Sequence, residues 1–466
     1  MRTKNAAVKA FALLGAALVL LLMFSLGGRG LAVLGLFWAV AGGFIWATGK
    51  YKLKAAYVCA GVFLLSFLFQ SCYSGYVRIL GEGDLQFYYG SAVSIAENGF
   101  RLESLYHAAF PGTVTYPSVV AVLFRIAGVY RIVPVLFNQV VMSATAVLVY
   151  VFAKRRHGHA CGAVCAMLLA THPFVIIYCN APNAEILYGA CILWSFITFC
   201  FARERYRHTG QKLRFIVPAL FLGLSLLFRP MGVILLIALL LYTVLFSGAK
   251  IKDAAVICSI LIAGFFAFNL LCGVIVKGVT SYAAPQSAYG WNLYIGASET
   301  GRWNQADAEE FTRVIETAET PSALQRHFAG EAFARYREMG LGVFAHGSKK
   351  LLALNSAEYM IQETLLLTEE SAARHTLQRI EYSLPVYLYY VPILLLALLF
   401  CLWSFVRLLR GERETLLILP LYTVGSFAAF AFLEVAPRYG VSYHIMFTVL
   451  AFEAALGAVQ YIRKAR

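Results

Sequence analysis

The stretch Pro117-Ser118-Val119-Val120-Ala121-Val122-Leu123-Phe124-Arg125-Ile126-Ala127-Gly128-Val129 decides how this chain is threaded. It is apolar, but it is short and carries Arg125, whereas a helix needs ~20 residues to cross a bilayer. Twelve further apolar segments are read as spans, with tolerance for tilt: Ala10–Leu26, Leu31–Thr48, Ala55–Tyr76, Ile132–Ala153, Ala160–Cys179, Ile186–Ala202, Phe215–Phe228, Met231–Phe246, Ala254–Val276, Pro385–Val406, Leu416–Leu433 and Val441–Ile462. If 117–129 crossed as well, every later span would invert. The basic clusters arbitrate. With the N-terminus inside and 117–129 not crossing, Arg2/Lys4/Lys9, Lys50/Lys52/Lys54, Lys154/Arg155/Arg156, Arg203 to Arg214, Lys250/Lys252, Arg407/Arg410/Arg413 and Arg463/Lys464/Arg466 all fall on the inner side, as the positive-inside rule demands. The stretch is therefore expected to be an interfacial or re-entrant helix on the outer face, with Pro117 in its first turn.

Composition agrees with this threading. Of 466 residues, 60% are hydrophobic and 14% charged, against roughly 25% charged in soluble domains. The net charge of +15 comes from short clusters between apolar runs, a topology signal rather than a nucleic-acid surface. The ten cysteines lie nearly all inside apolar runs, with no spacing that makes a metal site, and read as small core residues. Residues 1–24 have a signal-like pattern without a convincing cleavage site, so they read as a retained first span. The fold class expected is an all-α polytopic membrane protein of about twelve spans with outer-face juxtamembrane helices.

The outer face then collects the loop from about Val77 to Arg131, the turn Asn180 to Glu185, the Arg229-Pro230 break, the polar segment Lys277–Leu384 and the turn Glu434–Gly440. Within the polar segment, Ala306–Ala318, Ser322–Met339 and Leu341–Leu367 read as helices. Thr320-Pro321 supplies a cap and a proline start, and Gly340 a stop. Phe328, Phe333, Phe344, Leu351 and Leu352 suit packing on the membrane face rather than an independent core.

The chain has three aspartates, Asp84, Asp253 and Asp307. Asp84 sits in Glu82-Gly83-Asp84, where a span ends and a helix-like stripe (Phe87, Tyr88, Tyr89, Ala92, Ala96) begins. An acid at such a place is costly to keep, which makes Asp84 the first candidate for chemistry. A helix cap is its structural alternative. Glu185 has the same alternative, Arg229 could snorkel beside its proline, and Arg438 could pair with Glu434. Tyr and Trp at span ends could form an aromatic belt. His172-Pro173 reads as a helix irregularity and Glu453 as a hydrogen-bonded packing residue.

The order Gly83-Asp84 with Tyr88-Tyr89, Thr115-Tyr116-Pro117, Lys154-Arg155-Arg156, Asn183-Ala184-Glu185, Phe228-Arg229-Pro230, Trp291 to Gly296, Gly301-Arg302-Trp303-Asn304 and Pro437-Arg438-Tyr439 resembles the GT-C superfamily of membrane glycosyltransferases, in the branch of protein mannosyltransferases and the lipid A aminoarabinose transferase. The likeness runs from about Ala55 onward. It implies two additional N-terminal spans (1–54), a GT-C-like transmembrane core (55–276) with a catalytic first outer loop (77–131), an outer-face helical region (277–384) and three C-terminal spans (385–466). It also implies a transferase taking a sugar from a polyprenyl-phosphate carrier at the outer face. Asp84 matches the family's first-loop acid and Glu185 a second acid; some relatives bind a divalent metal between such acids, so a metal, if any, belongs at Asp84 and Glu185.

Glycosyl transfer needs a base for the acceptor hydroxyl, a cation that forks onto the leaving phosphate, and a polar, aromatic-walled cavity. The chain offers Asp84 as base and Glu185 as second acid, with Arg229 and Arg438 for phosphate. Tyr88, Tyr89, Tyr116, Asn183, Trp291, Tyr294 and Glu434 are candidates for substrate contact. A single displacement inverts the sugar. The alternatives are a polymerase or ligase using a diphosphate-linked glycan, and a lipid or glycan transporter, which would show internal repeats and mid-span charges. The expected setting is a bacterial plasma membrane with both termini cytoplasmic and a lipid, glycan or protein acceptor.

Overall fold

The computed structural model describes residues 29–51, 53–76, 83–358 and 386–465. The expected span Ala10–Leu26, Glu82 and the basic residues Arg2, Lys4, Lys9, Lys52 and Arg466 lie outside the described residues. Within them the regular structure is helical throughout, and the chain is an all-α polytopic membrane protein. The helices of the membrane part are α1 (Arg29–Lys50), α2 (Ala55–Tyr76), α3 (Asp84–Glu97), α4 (Leu105–Ala109), α5 (Gly112–Ala127), α6 (Ile132–His157), α7 (His159–Ala170), α8 (Pro173–Cys179), α9 (Glu185–Thr209), α10 (Ile216–Leu226), α11 (Gly232–Leu241) and α12 (Ile251–Thr280). An outer group follows: α13 (Gly290–Gly296), α14 (Gln305–Thr317), α15 (Pro321–Met339) and α16 (Gly342–Leu354). The chain closes with α17 (Val391–Leu409), α18 (Ile418–Phe432) and α19 (Val441–Ala465).

By length and composition, 7 of the described helices can cross a membrane, or 8 if α7 and α8 form one bent span. These stand against the twelve expected; α5 and the helices at Leu213–Leu226 and Gly232–Phe246 are shorter apolar elements. Burial separates the centre from the periphery. The most apolar windows of α9 and α19 are 78% and 72% buried, whereas those of α12 and α17 are 17% and 22% buried. Helices that are apolar all round belong either to a core or to lipid, and here both kinds occur. Gly189 lets α19 come close to α9: a Cβ there would lie 3.2 Å from the Ser442 backbone, the small-residue approach used between membrane helices.

Three expected elements change. Ala160–Cys179 is not one straight span but α7 and α8, bent by 57°. Pro173 has no N–H to continue the ladder, and the preceding His172 is extended (φ −64°, ψ 121°), as a residue before proline prefers. The short helix α5 begins at Gly112, so Pro117 lies inside it rather than in its first turn. Pro111, with φ −48°, supplies the preset start instead. The third outer helix, expected to reach Leu367, ends at Leu354, where the Asn355 side chain donates back to the Leu351 carbonyl at 2.9 Å; residues from 359 lie outside the described part.

Thr320 does cap α15, accepting from the Ala323 N–H at 3.1 Å, and Gly340 does end it with φ 53°. The outer group is not merely laid on the membrane, however. Phe328 is buried with Tyr294, Ile295, Phe311 and Leu324 in a small core of its own. The sequence reading lacked α13, the element that brings Tyr294 and Trp291 against Phe328. Phe333, Phe344 and Leu352 remain exposed.

Gly296, at the end of α13, touches the carbonyl of Phe432 so closely that no side chain fits. Lys350 of α16 fastens this junction: its Nζ donates to Gly296 at 2.9 Å and to Ala431 at 3.2 Å, and His346 lies 2.9 Å from the same Gly296 carbonyl. Burial brings the Lys350 ammonium down to about 7, against the opposing pull of Glu434. The unfolded chain therefore holds this proton between about pH 7 and the usual lysine range while the folded chain does not, so stability rises with pH across that window. We expect the apparent thermal midpoint in detergent to increase from pH 7 to pH 9.5, and Lys350→Met to flatten that slope.

Candidate active site

Gly83 (φ 54°) turns the chain into α3, and Asp84 is the first residue of that helix, making no capping bond. Leu85, Tyr88, Ala92 and Ile95 bury the inner face of α3. Asp84 is left about half exposed, and its Oδ2 lies 2.6 Å from Nη2 of Arg438. Arg438 comes from the tight turn Pro437–Gly440 that opens α19. Its Nε is 3.6 Å from Oε1 of Glu185, so in place of the alternative pairing with Glu434 the ion pairs of Arg438 are with two longer-range partners.

Glu185 is the first residue of α9 and is buried. The turn before it is fixed by Asn183, whose amide donates to the carbonyls of Ala181 (3.0 Å) and Tyr178, and whose Oδ1 accepts from the Ile186 N–H at 3.3 Å. Arg229 lies at the break between α10 and α11 and binds Glu185 Oε1 through Nη2. Gly112 of α5 packs on the Phe228 carbonyl just before it; a Cβ there would stand 2.9 Å away.

Tyr439 joins the two arginines. The guanidinium carbons of Arg229 and Arg438 stand 5.2 and 4.9 Å from its ring centroid, within cation–π range. Its hydroxyl donates to Glu434 Oε2 at 3.0 Å. The same oxygen accepts from the Asn292 side chain at 3.1 Å, while the Glu434 N–H donates to the Asn292 carbonyl at 2.7 Å. Burial raises the Glu434 carboxyl above its ordinary value, opposed by Arg438 and the Tyr439 hydroxyl. Tyr88 is pushed up to about 12 by burial and so stays a neutral donor. Among the described residues, Glu185 Oε2 and the Nε atoms of Arg229 and Arg438 are buried without a hydrogen-bond partner. Groups of this kind are rare in folded proteins and leave hydrogen-bonding capacity for a ligand.

These side chains open on a cavity of about 980 Å³, at the upper end of the ~300–1,000 Å³ usual for ligand sites. Its charged lining, among the described residues, is Asp84, Glu185 and Glu434 against Arg229, Arg302 and Arg438. Of the candidate substrate contacts, Tyr88, Trp291 and Glu434 line it. Tyr89 instead packs edge-on against Phe124 at 5.6 Å. Tyr116 is fully buried behind Tyr88, at 5.5 Å. Asn183 shapes its turn, and Tyr294 lies in the outer core under the Arg335 guanidinium at 3.6 Å. Tyr106, Tyr289, Asn292, Arg302, Trp303 and Tyr439 line the cavity without having been proposed for it. The last four belong to quoted motifs, so their signal was present; Tyr106 and Tyr289 had none.

The described residues do not assemble a metal site. No group of three or more His, Cys, Asp or Glu converges among the described residues, and the guanidinium of Arg438 reaches toward both Asp84 and Glu185, the two acids a bridging cation would require. Elsewhere, Glu453 is the hydrogen-bonded packing residue expected, with Arg156 at 2.8 Å and His157 at 2.9 Å.

Residues 113–271 match the family model of dolichyl-phosphate-mannose-protein mannosyltransferases. Over these residues, the resemblance to protein mannosyltransferases drawn from the motifs is borne out. The matched region contains Glu185 and Arg229 and leaves Asp84 and Arg438 outside. No curated protein matches the chain. Among solved structures, the Archaeoglobus fulgidus oligosaccharyltransferase in the apo form is similar at 14% identity, covering 88% of this chain and 52% of that one, TM-score 0.47. The Archaeoglobus fulgidus oligosaccharyltransferase AglB with an inhibitory peptide and a dolichol-phosphate is similar at 13% identity, with the same coverages and TM-score 0.48. ArnT from Cupriavidus metallidurans bound to undecaprenyl phosphate is similar at 14% identity, covering 86% of this chain and 78% of that one, TM-score 0.36. The chain spans about half the length of the two oligosaccharyltransferase chains.

Proposed function

We propose that the protein is a membrane glycosyltransferase that moves a monosaccharide from a polyprenyl-phosphate carrier to an acceptor hydroxyl, with inversion at the sugar. The observation that carries this reading is the pairing at the cavity wall. Arg229 and Arg438 both stand within cation–π range of one tyrosine ring, each with an Nε–H that makes no hydrogen bond, and Asp84 is bound to the second of them. Two guanidinium forks suit phosphate oxygens. The family model over residues 113–271, whose description names a dolichyl-phosphate-mannose donor, supports the same carrier class.

In the resting site the Asp84 carboxylate is engaged by Arg438. A donor phosphate on Arg438 competes for that guanidinium and releases the carboxylate. Asp84 then accepts the proton of the acceptor hydroxyl. The acceptor oxygen bonds to the anomeric carbon as the bond from that carbon to the phosphate oxygen breaks, and the departing phosphate stays on Arg438 and Arg229. Glu185 holds both arginines in place. No step calls for a metal.

The direct test supplies membranes containing the protein with undecaprenyl phosphate carrying a radiolabelled sugar. Label should leave the carrier, and the free undecaprenyl phosphate formed should equal the sugar lost. Consumption of diphosphate-linked glycans alone would favour the polymerase or ligase instead. We further propose that the cavity opens on the outer face of a bacterial plasma membrane, with both termini inside. Cysteines placed at Gly28, Ser104 and Ala323 should then react with an impermeant maleimide from outside only; inside labelling of Ser104 or Ala323 overturns this threading.

A further inference from the structure

The cavity does not end at the arginines. It continues inward along α18, from Leu433 to Tyr422, a descent of about 16 Å at 1.5 Å per residue. Its deep part is reached by Tyr188, one turn into α9 from Glu185, and by Tyr422, Ser426 and Ser442. All four are at least nine-tenths buried. The Tyr188 and Tyr422 hydroxyls are 3.2 Å apart, and Tyr422 donates to Ser442 Oγ at 3.4 Å. Met231 and Phe430 complete the wall. Hydroxyls are costly inside a membrane bundle unless something uses them, and a lining needed only for an isoprenoid tail would have no reason to hold four.

We infer that this deep lobe is the donor-sugar subsite, and that it selects a neutral, hydroxyl-bearing pyranose or furanose. The assignment rests on the phosphate reading given above: with the phosphate at Arg229 and Arg438, the sugar points down onto Tyr188, Tyr422 and Ser442, and the acceptor enters from the wide outer part beside Trp291 and Trp303. A sugar hydroxyl can give and take hydrogen bonds with these hydroxyls in either direction. Among the described residues, Tyr188, Tyr422, Ser426 and Ser442 bring no charge to the deep lobe, and the cation that adjoins it, Arg229, is already bound to Glu185.

The test measures binding to the full-length protein in nanodiscs of three probes: undecaprenyl phosphate alone, undecaprenyl phosphoryl-mannose and an undecaprenyl phosphoryl-hexuronic acid. Wild type should bind the mannose carrier more tightly than the bare carrier and the hexuronic acid carrier more weakly than the mannose one. Tyr188→Phe and Tyr422→Phe keep the rings and should each lower affinity for the mannose carrier by roughly three- to tenfold, with affinity for the bare carrier unchanged. That unchanged value also certifies that the variants are folded. Equal wild-type affinity for bare and mannosylated carriers overturns the sugar subsite, as does an equal loss of both in the Phe variants, which would give the lobe to the isoprenoid tail. Failure of the underlying reading looks different: the bare carrier does not bind wild type, or its binding ignores Arg438→Lys.

Discussion

Asp84→Asn should cut sugar transfer by about 10²–10⁴-fold, the usual share of a positioned base, while the protein still inserts and accumulates. Asparagine keeps the shape and can still accept a hydrogen bond from Arg438, so the loss isolates proton transfer. The ion pair at 2.6 Å adds a second, less obvious expectation. With the carboxylate gone, nothing charged at this position competes with phosphate for Arg438, so affinity for undecaprenyl phosphate should hold or increase as turnover disappears. Transfer assays and carrier binding on the same membranes check both halves. Transfer at the wild-type rate removes Asp84 as base, and carrier binding that falls in step with turnover makes it a group that merely positions Arg438.

The second large effect belongs to Arg438. Arg438→Ala strips Asp84 of its partner and leaves Glu185 to Arg229 alone. On the proposed reading Arg438 gives the phosphate a charge-assisted hydrogen bond worth about 1.5–3 kcal/mol, so undecaprenyl phosphate binding should weaken by roughly 10- to 10²-fold. Arg438→Lys keeps the charge but loses the fork and the flat stacking on Tyr439, and should fall between. Combining Arg438→Ala with Asp84→Asn separates stability from function. The double variant no longer strands a carboxylate, so its abundance should recover above that of Arg438→Ala while transfer stays absent. Losses in abundance that simply add would show that the two residues are not coupled.

The long apolar helices were legible because a run of twenty apolar residues has few other fates. The bend at His172-Pro173 could have been read more firmly, since a proline inside a run removes a hydrogen bond whatever surrounds it. The placement of Pro117 was harder: two prolines, Pro111 and Pro117, stand where one helix could open, and it is Pro111 that opens it, with Gly112 packed on the Phe228 carbonyl. In the site, Asp84, Glu185, Arg229 and Arg438 were found by charge at span ends, where charge is scarce. The tyrosines were not sorted by sequence. Tyr88 and Tyr89 are neighbours, and the helical turn alone decides that one lines the cavity and the other packs against Phe124. The hydroxyl-lined floor was invisible because Tyr188, Tyr422 and Ser442 belong to three separate apolar segments, 20 to 234 positions apart.

The distance along the chain between Asp84 and Arg438 also sets a timetable. At roughly 5–20 residues per second of synthesis, the acid emerges about 20–70 s before the arginine that binds it. Glu185 and Arg229, only 44 positions apart, can find each other far earlier and hold a half-site while the later helices are made. Arg438 arrives much later, just ahead of α19. A nascent or truncated chain ending before it would carry Asp84 and Arg229 but not the Asp84–Arg438 pair, so on the proposed mechanism transfer has to wait for α19.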